Sequence, residues 1–208
     1  MKKDELIGFV RNIVLQGEPV SDNIKPAHYK RVEQAVSYAF NGMLGQLYKE
    51  GDEGRYEIES YFVKHYKDVD VAEANGYKYV ALVDVISSLP NGRGVWYVQP
   101  KGTGKPFMQM GRPQIATLRN TYAGGSIDEM VWYLGNVIQE GRRQVVLERI
   151  GDPYFLDILK VDYGVVRALE SYTSEEDVYI PDGRFDILIQ TAVNWFGQRQ
   201  NDLINNNQ

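Results

Sequence analysis

The hydrophobic period of this chain changes once, near Gly51, and that change constrains the fold more than any other feature. Before it, apolar residues recur at helical spacing. Leu6, Val10, Ile13 and Val14 mark a first helix from about Lys2 to Gln16, and Gly17 ends the pattern. Pro19 and Ser21-Asp22-Asn23 form a linker, and Pro26 suits a first helical turn, where a missing N–H costs nothing. Val32, Val36, Ala39, Phe40, Met43, Leu44 and Leu47 then make an apolar stripe that Gly51 stops. Gly42 and Gly45 interrupt it, each weakening the helix by about 1 kcal/mol relative to Ala. Small residues there let another backbone approach closely, from the same chain or a neighbour.

Beyond Gly51 the period moves towards 2. Arg55–Lys67 and Tyr77–Ser87 read as strands, the second closed by the turn Leu89-Pro90-Asn91-Gly92. Val95–Val98 and Phe107–Met110 read as short strands around Lys101-Gly102-Thr103-Gly104-Lys105, and Pro113–Tyr122 as a short helix. Met130–Ile138 and Gln144–Ile150 make a hairpin around Gly141, and Leu156–Leu169 is a strand interrupted near Gly164. Ile180-Pro181-Asp182 opens a terminal helix with Asp182 as N-cap. Its apolar face is Phe185, Leu188, Ile189, Ala192, Trp195 and Phe196, running to about Arg199. Asn201, Asp202, Leu203 and Ile204 begin a polar tail, expected to fray unless a partner orders it. The expected fold is α+β rather than alternating βαβ. Residues 1–51 and 171–208 supply the terminal helices, and 52–170 an inserted β-rich lobe.

The 208 residues carry 23 Lys/Arg against 28 Asp/Glu, a net charge of −5, which excludes a whole-protein nucleic-acid-binding surface. Acids and bases balance at 21 each through Leu169. The excess lies beyond it, in Glu170, Glu175, Glu176, Asp177, Asp182, Asp186 and Asp202 against Arg184 and Arg199. One reading is a solvated acidic loop; the other is a surface that must not bind nucleic acid or its own copies. With no cysteine, disulfides, thiolate metal sites and cysteine nucleophiles drop out. MKKDELIGFV has carboxylates where a signal peptide needs apolar residues, and no run reaches the roughly 18 apolar residues of a membrane span.

Motifs for chemistry fail one by one. A P-loop needs a glycine where Gln99 stands and a Ser/Thr where Pro106 stands. Gly92-Arg93-Gly94 lacks the third glycine of a dinucleotide fingerprint, with Tyr97 in its place. Asp68-Val69-Asp70-Val71-Ala72-Glu73 begins like a calcium loop but has Ala72 for an oxygen ligand and Glu73 for the glycine. His28 and His65 lack ligand spacing, and no Gly-x-Ser-x-Gly elbow marks a nucleophile. No catalytic, cofactor or metal residue is assigned, and the chain is read as a non-enzyme. Trp96-Tyr97, Trp132-Tyr133 and Trp195-Phe196 place aromatic pairs on regular elements, either as core or as interface and glycan-binding surface.

The helix pair, the β insert with Leu89-Pro90-Asn91-Gly92-Arg93-Gly94-Val95, and the Ile180-Pro181-Asp182 segment leading into the last helix resemble head-to-tail connector proteins. These are the adaptor or ring proteins below the portal of tailed phages. The Asn- and Tyr-rich texture is most similar to structural proteins of crAss-like short-tailed phages. The resemblance implies a small helical bundle, formed by residues 1–51 and 171–208, carrying 52–170 as a sandwich-like insert, in a virion protein assembled in the host cytoplasm as a closed ring of about twelve copies. Its partners would be itself, the portal, the next tail component and DNA that passes without specific binding, with no membrane and no cofactor. It implies a channel-facing acidic surface at Glu170, Glu175, Glu176, Asp177, Asp182 and Asp186. It further implies helix packing or subunit contact at Phe40, Gly42, Gly45, Trp195 and Phe196, and an assembly tail at Asn201 to Ile204.

Two other classes stay open. A carbohydrate-binding or capsid-decoration module would work through exposed Trp96, Trp132, Tyr77 and Tyr79. A hydrolase would use dispersed carboxylates such as Glu57 and Asp84, with Glu59 sharing a strand face with Glu57.

Overall fold

The computed structural model describes residues 1–15, 26–52, 60–74, 76–89, 93–102, 105–121, 130–137, 142–150 and 158–205. The fold is α+β, and the chain divides into two compact units. One unit comprises Met1–Tyr61, Ser87–Leu89 and Ala168–Gln208; the other comprises Phe62–Ile86 and Pro90–Arg167.

The first unit is helical. Its elements are α1 (Lys3–Val14), α2 (Pro26–Asp52) and α4 (Phe185–Asn205); α3 (Arg112–Thr121) lies in the other unit. Each helix buries one stripe. From α1 come Leu6, Ile7 and Val10; from α2, Val32, Val36, Ala39, Phe40, Met43 and Leu44; from α4, Leu188, Ile189, Ala192 and Phe196. The stripes follow the 3.6-residue period, so they meet as one core once the helices are brought side by side. Leu169, Tyr172 and Val178 complete it from the segment before α4, the Tyr172 ring edge-on to Phe40 at 6.1 Å. Ser87 ties into this unit by donating to Asn41 Oδ1 at 2.9 Å.

The second unit is a layered β structure. Strands β1 (Val63–Asp70), β8 (Lys160–Val166) and β4 (Val95–Pro100) form an antiparallel sheet in the order β1-β8-β4. A second sheet runs β2-β3-β7-β6-β5, from β2 (Ala72–Ala74), β3 (Tyr77–Ala81), β7 (Arg143–Arg149), β6 (Met130–Val137) and β5 (Met108–Gln109). It is antiparallel except for β5 on β6. Val95, Val98, Val161, Tyr163 and Val165 of one sheet share a core with Val80, Trp132, Val145 and Leu147 of the other. The other face of the five-stranded sheet is covered by α3 (Arg112–Thr121), whose Ile115 packs with Val131, Tyr133, Val146 and Ile150. Strand alternation therefore sends Trp132 into one core and Tyr133 into the other.

Several boundaries differ from expectation. Strand β1 starts at Val63 after a short helical turn, Ser60–Phe62, and 53–59 lies outside the described residues. Strand β3 stops at Ala81 rather than Ser87, with Ile86 bridging Arg167 alone. Strand β8 runs unbroken through Gly164, which faces both neighbours: His65 pairs with it on one side and Tyr97 on the other. The Tyr97 ring lies across it, so an added Cβ would sit 2.6 Å from Tyr97 Cε1. That glycine marks a close approach, not a break. Asp182 does not cap α4. The helix begins at Phe185, three residues later, because Gly183 in the left-handed region (φ 76°) turns the chain first. The helix continues to Asn205, past the expected end at Arg199, and so takes Asn201, Asp202, Leu203 and Ile204 into its backbone.

Candidate functional site

The acidic segment follows β8. Glu170 lies in the turn Leu169–Ser171, and the chain then runs beside the start of α1. Lys3 N–H donates to Glu176 O at 3.1 Å, Asp4 N–H to Ser174 O at 3.3 Å, and Val178 N–H to Met1 O at 2.8 Å. Side chains reinforce this pairing. Lys2 Nζ donates to Glu175 Oε2 at 2.5 Å, and Lys3 Nζ reaches Tyr172 O at 3.2 Å and Glu33 Oε1 at 3.1 Å. The Met1 amino group lies 3.6 Å from Asp177 Oδ1, and Thr173 N–H donates to Glu176 Oε2 at 3.3 Å.

The six acidic candidates therefore split by role. Glu175, Glu176 and Asp177 hold the segment against the N-terminal residues. Glu170, Asp182 and Asp186 are exposed, and no ion pair engages them among the described residues. Nearby, Arg184 directs one nitrogen at both Glu50 oxygens, at 2.5 and 2.6 Å, and ties the turn before α4 to the end of α2. That contact joins residues 134 apart in sequence, so charge counting along the chain does not reveal it.

The packing candidates also separate. Phe40 and Phe196 are core. Trp195 is half-buried and stacks on the exposed Tyr38, centroids 5.9 Å apart. A Cβ built on Gly42 or Gly45 meets nothing within 4 Å, so among the described residues no part of the same chain approaches them closely, and a neighbouring copy is the remaining candidate for that contact. Of the aromatic candidates, Trp132 is buried rather than exposed. Trp96 and Tyr77 are 41% and 46% exposed, and Tyr79 is half-buried. The side chains of Asn201 to Ile204, and Glu57, Glu59, Pro90, Asn91, Gly92, Thr103, Gly104 and His28, lie outside the described ones.

Among the described residues, two carboxylates are buried in the β unit. Asp84, 9% exposed, accepts a hydrogen bond from Tyr66 Oη, with Lys64 Nζ at 3.8 Å and the Arg167 guanidinium at 3.9 Å. Burial, then the bond to Asp84, pushes the Tyr66 hydroxyl well above the usual tyrosine range. Glu148, 5% exposed, accepts from Arg119 at 2.8 Å and from Tyr133 Oη at 2.7 Å. Arg119 also donates to Ile150 O and Arg149 O, fixing the end of α3 to β7. Glu148 accepts from two donors, and Asp84 accepts from one with two cations within 4 Å, arrangements that make a buried charge tolerable. Sequence reading singled out Asp84 for a different reason and missed Glu148, whose signal is only an acid in a run of Val and Leu.

The rejected motifs have structural uses. Lys101 pairs with Asp68, which holds the Asp68 carboxyl below the usual range, and Lys160 lies 3.6 Å from Asp70. Asp68 itself is left-handed (φ 58°) at a bulge between Tyr66 and Val69, and its N–H donates to Asp162 Oδ1 at 2.9 Å. Among the described residues no cluster of His, Cys, Asp and Glu is arranged to hold a metal ion, and no helix is long and apolar enough to cross a membrane. No protein-family model and no curated protein sequence matches this chain.

Proposed function

We propose that this chain is a structural ring protein of a phage head-to-tail connector, below the portal, through which DNA passes without being held. One observation carries the reading: the helical unit combines the whole acidic excess of the chain with most of the large apolar side chains exposed among the described residues. It contains 10 Lys/Arg against 17 Asp/Glu, a net charge of −7, while the β unit has 13 against 11, a net of +2. Phe9, Ile13, Tyr38, Tyr61 and Ile187 are exposed on that same unit. Large apolar side chains left open on a highly charged body fit a protein that assembles. A phosphate backbone gains affinity from Lys and Arg, so an acidic wall lets DNA slide.

Glu170, Asp182 and Asp186 are the proposed channel-facing charges, because they are exposed and no ion pair engages them among the described residues. Particles carrying Glu170→Lys, Asp182→Lys and Asp186→Lys together are expected to retain DNA after triggered ejection. Normal packaging and release by that triple variant would refute the channel role. Light scattering with and without a portal protein tests the ring itself. The expected result is a closed oligomer or a stoichiometric portal complex, and a chain that stays monomeric in both settings overturns the reading.

Exposed Trp96 and Tyr77 favour a second reading, a glycan-binding β unit. Titration with oligosaccharides, followed by tryptophan fluorescence, is the test; an unchanged signal removes it.

A further inference from the structure

The sheet β1-β8-β4 turns one face to the core of the β unit, and its outward face carries a side-chain set that two bulges build. Val95 and Val98 of β4 both enter the core although they are three apart, because the strand bulges at Trp96. Without that bulge, Tyr97 would follow Val95 inward, two residues on. In β1, Tyr66 and Val69 are likewise three apart and both pack on the core, across a bulge at Lys67 and the left-handed Asp68. Between them β8 alternates regularly: Val161, Tyr163 and Val165 face in, so Asp162 and Gly164 face out. The Tyr97 ring lies across Gly164, and its hydroxyl is 3.0 Å from His65 Nδ1, with the two rings 5.7 Å apart. Asp162 is fixed beside them by the Asp68 N–H at 2.9 Å, and Gln99 stands opposite Asp162 in the ladder.

The result is a shallow aromatic shelf with polar edges. Tyr97, Asp162 and Gln99 are half-buried and His65 is exposed. A mid-strand glycine and two bulges disturb a small sheet, and together they hold one tyrosine outward instead of in the core. The charges around it balance. Lys67, Lys101 and Lys160 stand against Asp68, Asp70 and Asp162, with Lys101 paired to Asp68 and Lys160 3.6 Å from Asp70. Neither a polyanion nor a cation finds an excess of opposite charge there. The ligand that suits such a shelf is uncharged, with an apolar side to lie on a tyrosine ring and hydroxyls at its rim. We infer that the outward face of β1-β8-β4 binds a neutral saccharide, one sugar ring stacked on Tyr97 and its hydroxyls bonded by His65, Asp162 and Gln99. With the Tyr97 hydroxyl donating to Nδ1, the neutral imidazole carries its proton on Nε2 and can donate it outward; the Asp162 carboxylate accepts more bonds than the one it makes. The inference rests on the glycan-binding reading of the β unit, moves its centre from Trp96 and Tyr77 to Tyr97, and does not depend on the ring.

Titration of the full chain with cellohexaose, xylohexaose, mannohexaose and laminarihexaose, followed by calorimetry and amide NMR shifts, tests it. At least one is expected to bind, with shifts centred on β1, β8 and β4. Tyr97→Ala is expected to weaken that binding about tenfold or more, and His65→Ala about threefold or more. Tyr97→Phe keeps the ring and is expected to retain most of the affinity. Thermal melts confirm that each variant folds, and exposed His65 keeps the test decisive if Tyr97→Ala does not. Binding that survives both Tyr97→Ala and His65→Ala overturns this site, and its loss in Trp96→Ala or Tyr77→Ala then leaves the glycan reading standing. Failure of all four sugars to bind the wild-type chain overturns both.

Discussion

The two units of this protein solve the problem of apolar surface to different extents. The β unit closes on itself. Its five-stranded sheet is covered on one face by the β1-β8-β4 sheet and on the other by α3, so even the adjacent pair Trp132-Tyr133 is buried on both sides. The helical unit buries one stripe per helix and leaves Phe9, Ile13, Tyr38 and Ile187 outside. It also carries the acidic excess. A sheet with two covered faces has little apolar surface to offer a partner, whereas an amphipathic helix with apolar residues beyond its buried stripe does. The β unit keeps exposed apolar side chains too, Tyr77, Val83, Trp96, Met108 and Leu159, so the contrast is one of degree: the helical unit exposes more of them among the described residues and adds the acidic excess.

The strongest way to break that contrast is to open the β core. Trp132→Ala removes the largest fully buried side chain and is expected to cost about 3–5 kcal/mol. Hydrogen exchange should show protection falling across β3, β6, β7 and β8. A loss under 1 kcal/mol, on the order of a surface change, would mean the two sheets do not share the core described.

Next in size is Glu148→Ala, which leaves Arg119 beside an emptied, mostly buried site. About 3 kcal/mol is expected from breaking a buried pair, discounted because the Arg119 side chain is 32% exposed. Double substitution with Arg119→Met should recover part of it in chemical denaturation. Equal destabilisation by the single and double variants would remove the pair as the cause.

The pH dependence is smaller and concerns Tyr66. Its hydroxyl is shifted upward, so the folded state holds the proton to higher pH than the unfolded chain, whose tyrosine titrates near 10. This contribution is therefore full below pH 10 and is lost as pH rises from there towards the folded value. Tyr66→Phe should flatten the fall in stability above pH 10. Buried Tyr163 and Tyr133, shifted upward by burial as well, should preserve part of the slope. An identical slope in the variant would separate Tyr66 from that loss.

The smallest effect probes the helical unit. Gly42→Ala and Gly45→Ala should each stabilise the isolated chain by about 0.5–1 kcal/mol, since the added Cβ meets open space. If assembly brings a neighbour onto this face, the same variants raise Tm and weaken the oligomer. Stabilisation without any effect on assembly would leave the two glycines without a structural use.

Much of this was legible in the sequence where the cause is local. The α2 stripe from Val32 to Leu44, the hairpin of β6 on β7, and the short α3 follow from period and turn chemistry. The site was less legible. That Glu175 and Asp177 anchor the N-terminal residues depends on Lys2 lying opposite them, 173 residues from Glu175. Gly164 suggested a broken strand because a glycine's lack of a side chain has the same appearance in a loop and beneath an aromatic ring.

By itself, the sequence determined the α+β class, the stripes that each helix would bury and the failure of every phosphate, dinucleotide and calcium motif tested. Each of these depends on neighbours within about one turn or one strand, where steric and periodic rules act directly. Only the tertiary structure decided which charges are engaged and which are open. Counted along the chain, the first 169 residues are neutral; divided by fold, they are the sum of an acidic helical part and a basic β unit. The physical reason is that electrostatic interactions depend on distance in space, and folding makes neighbours of residues that the chain keeps far apart.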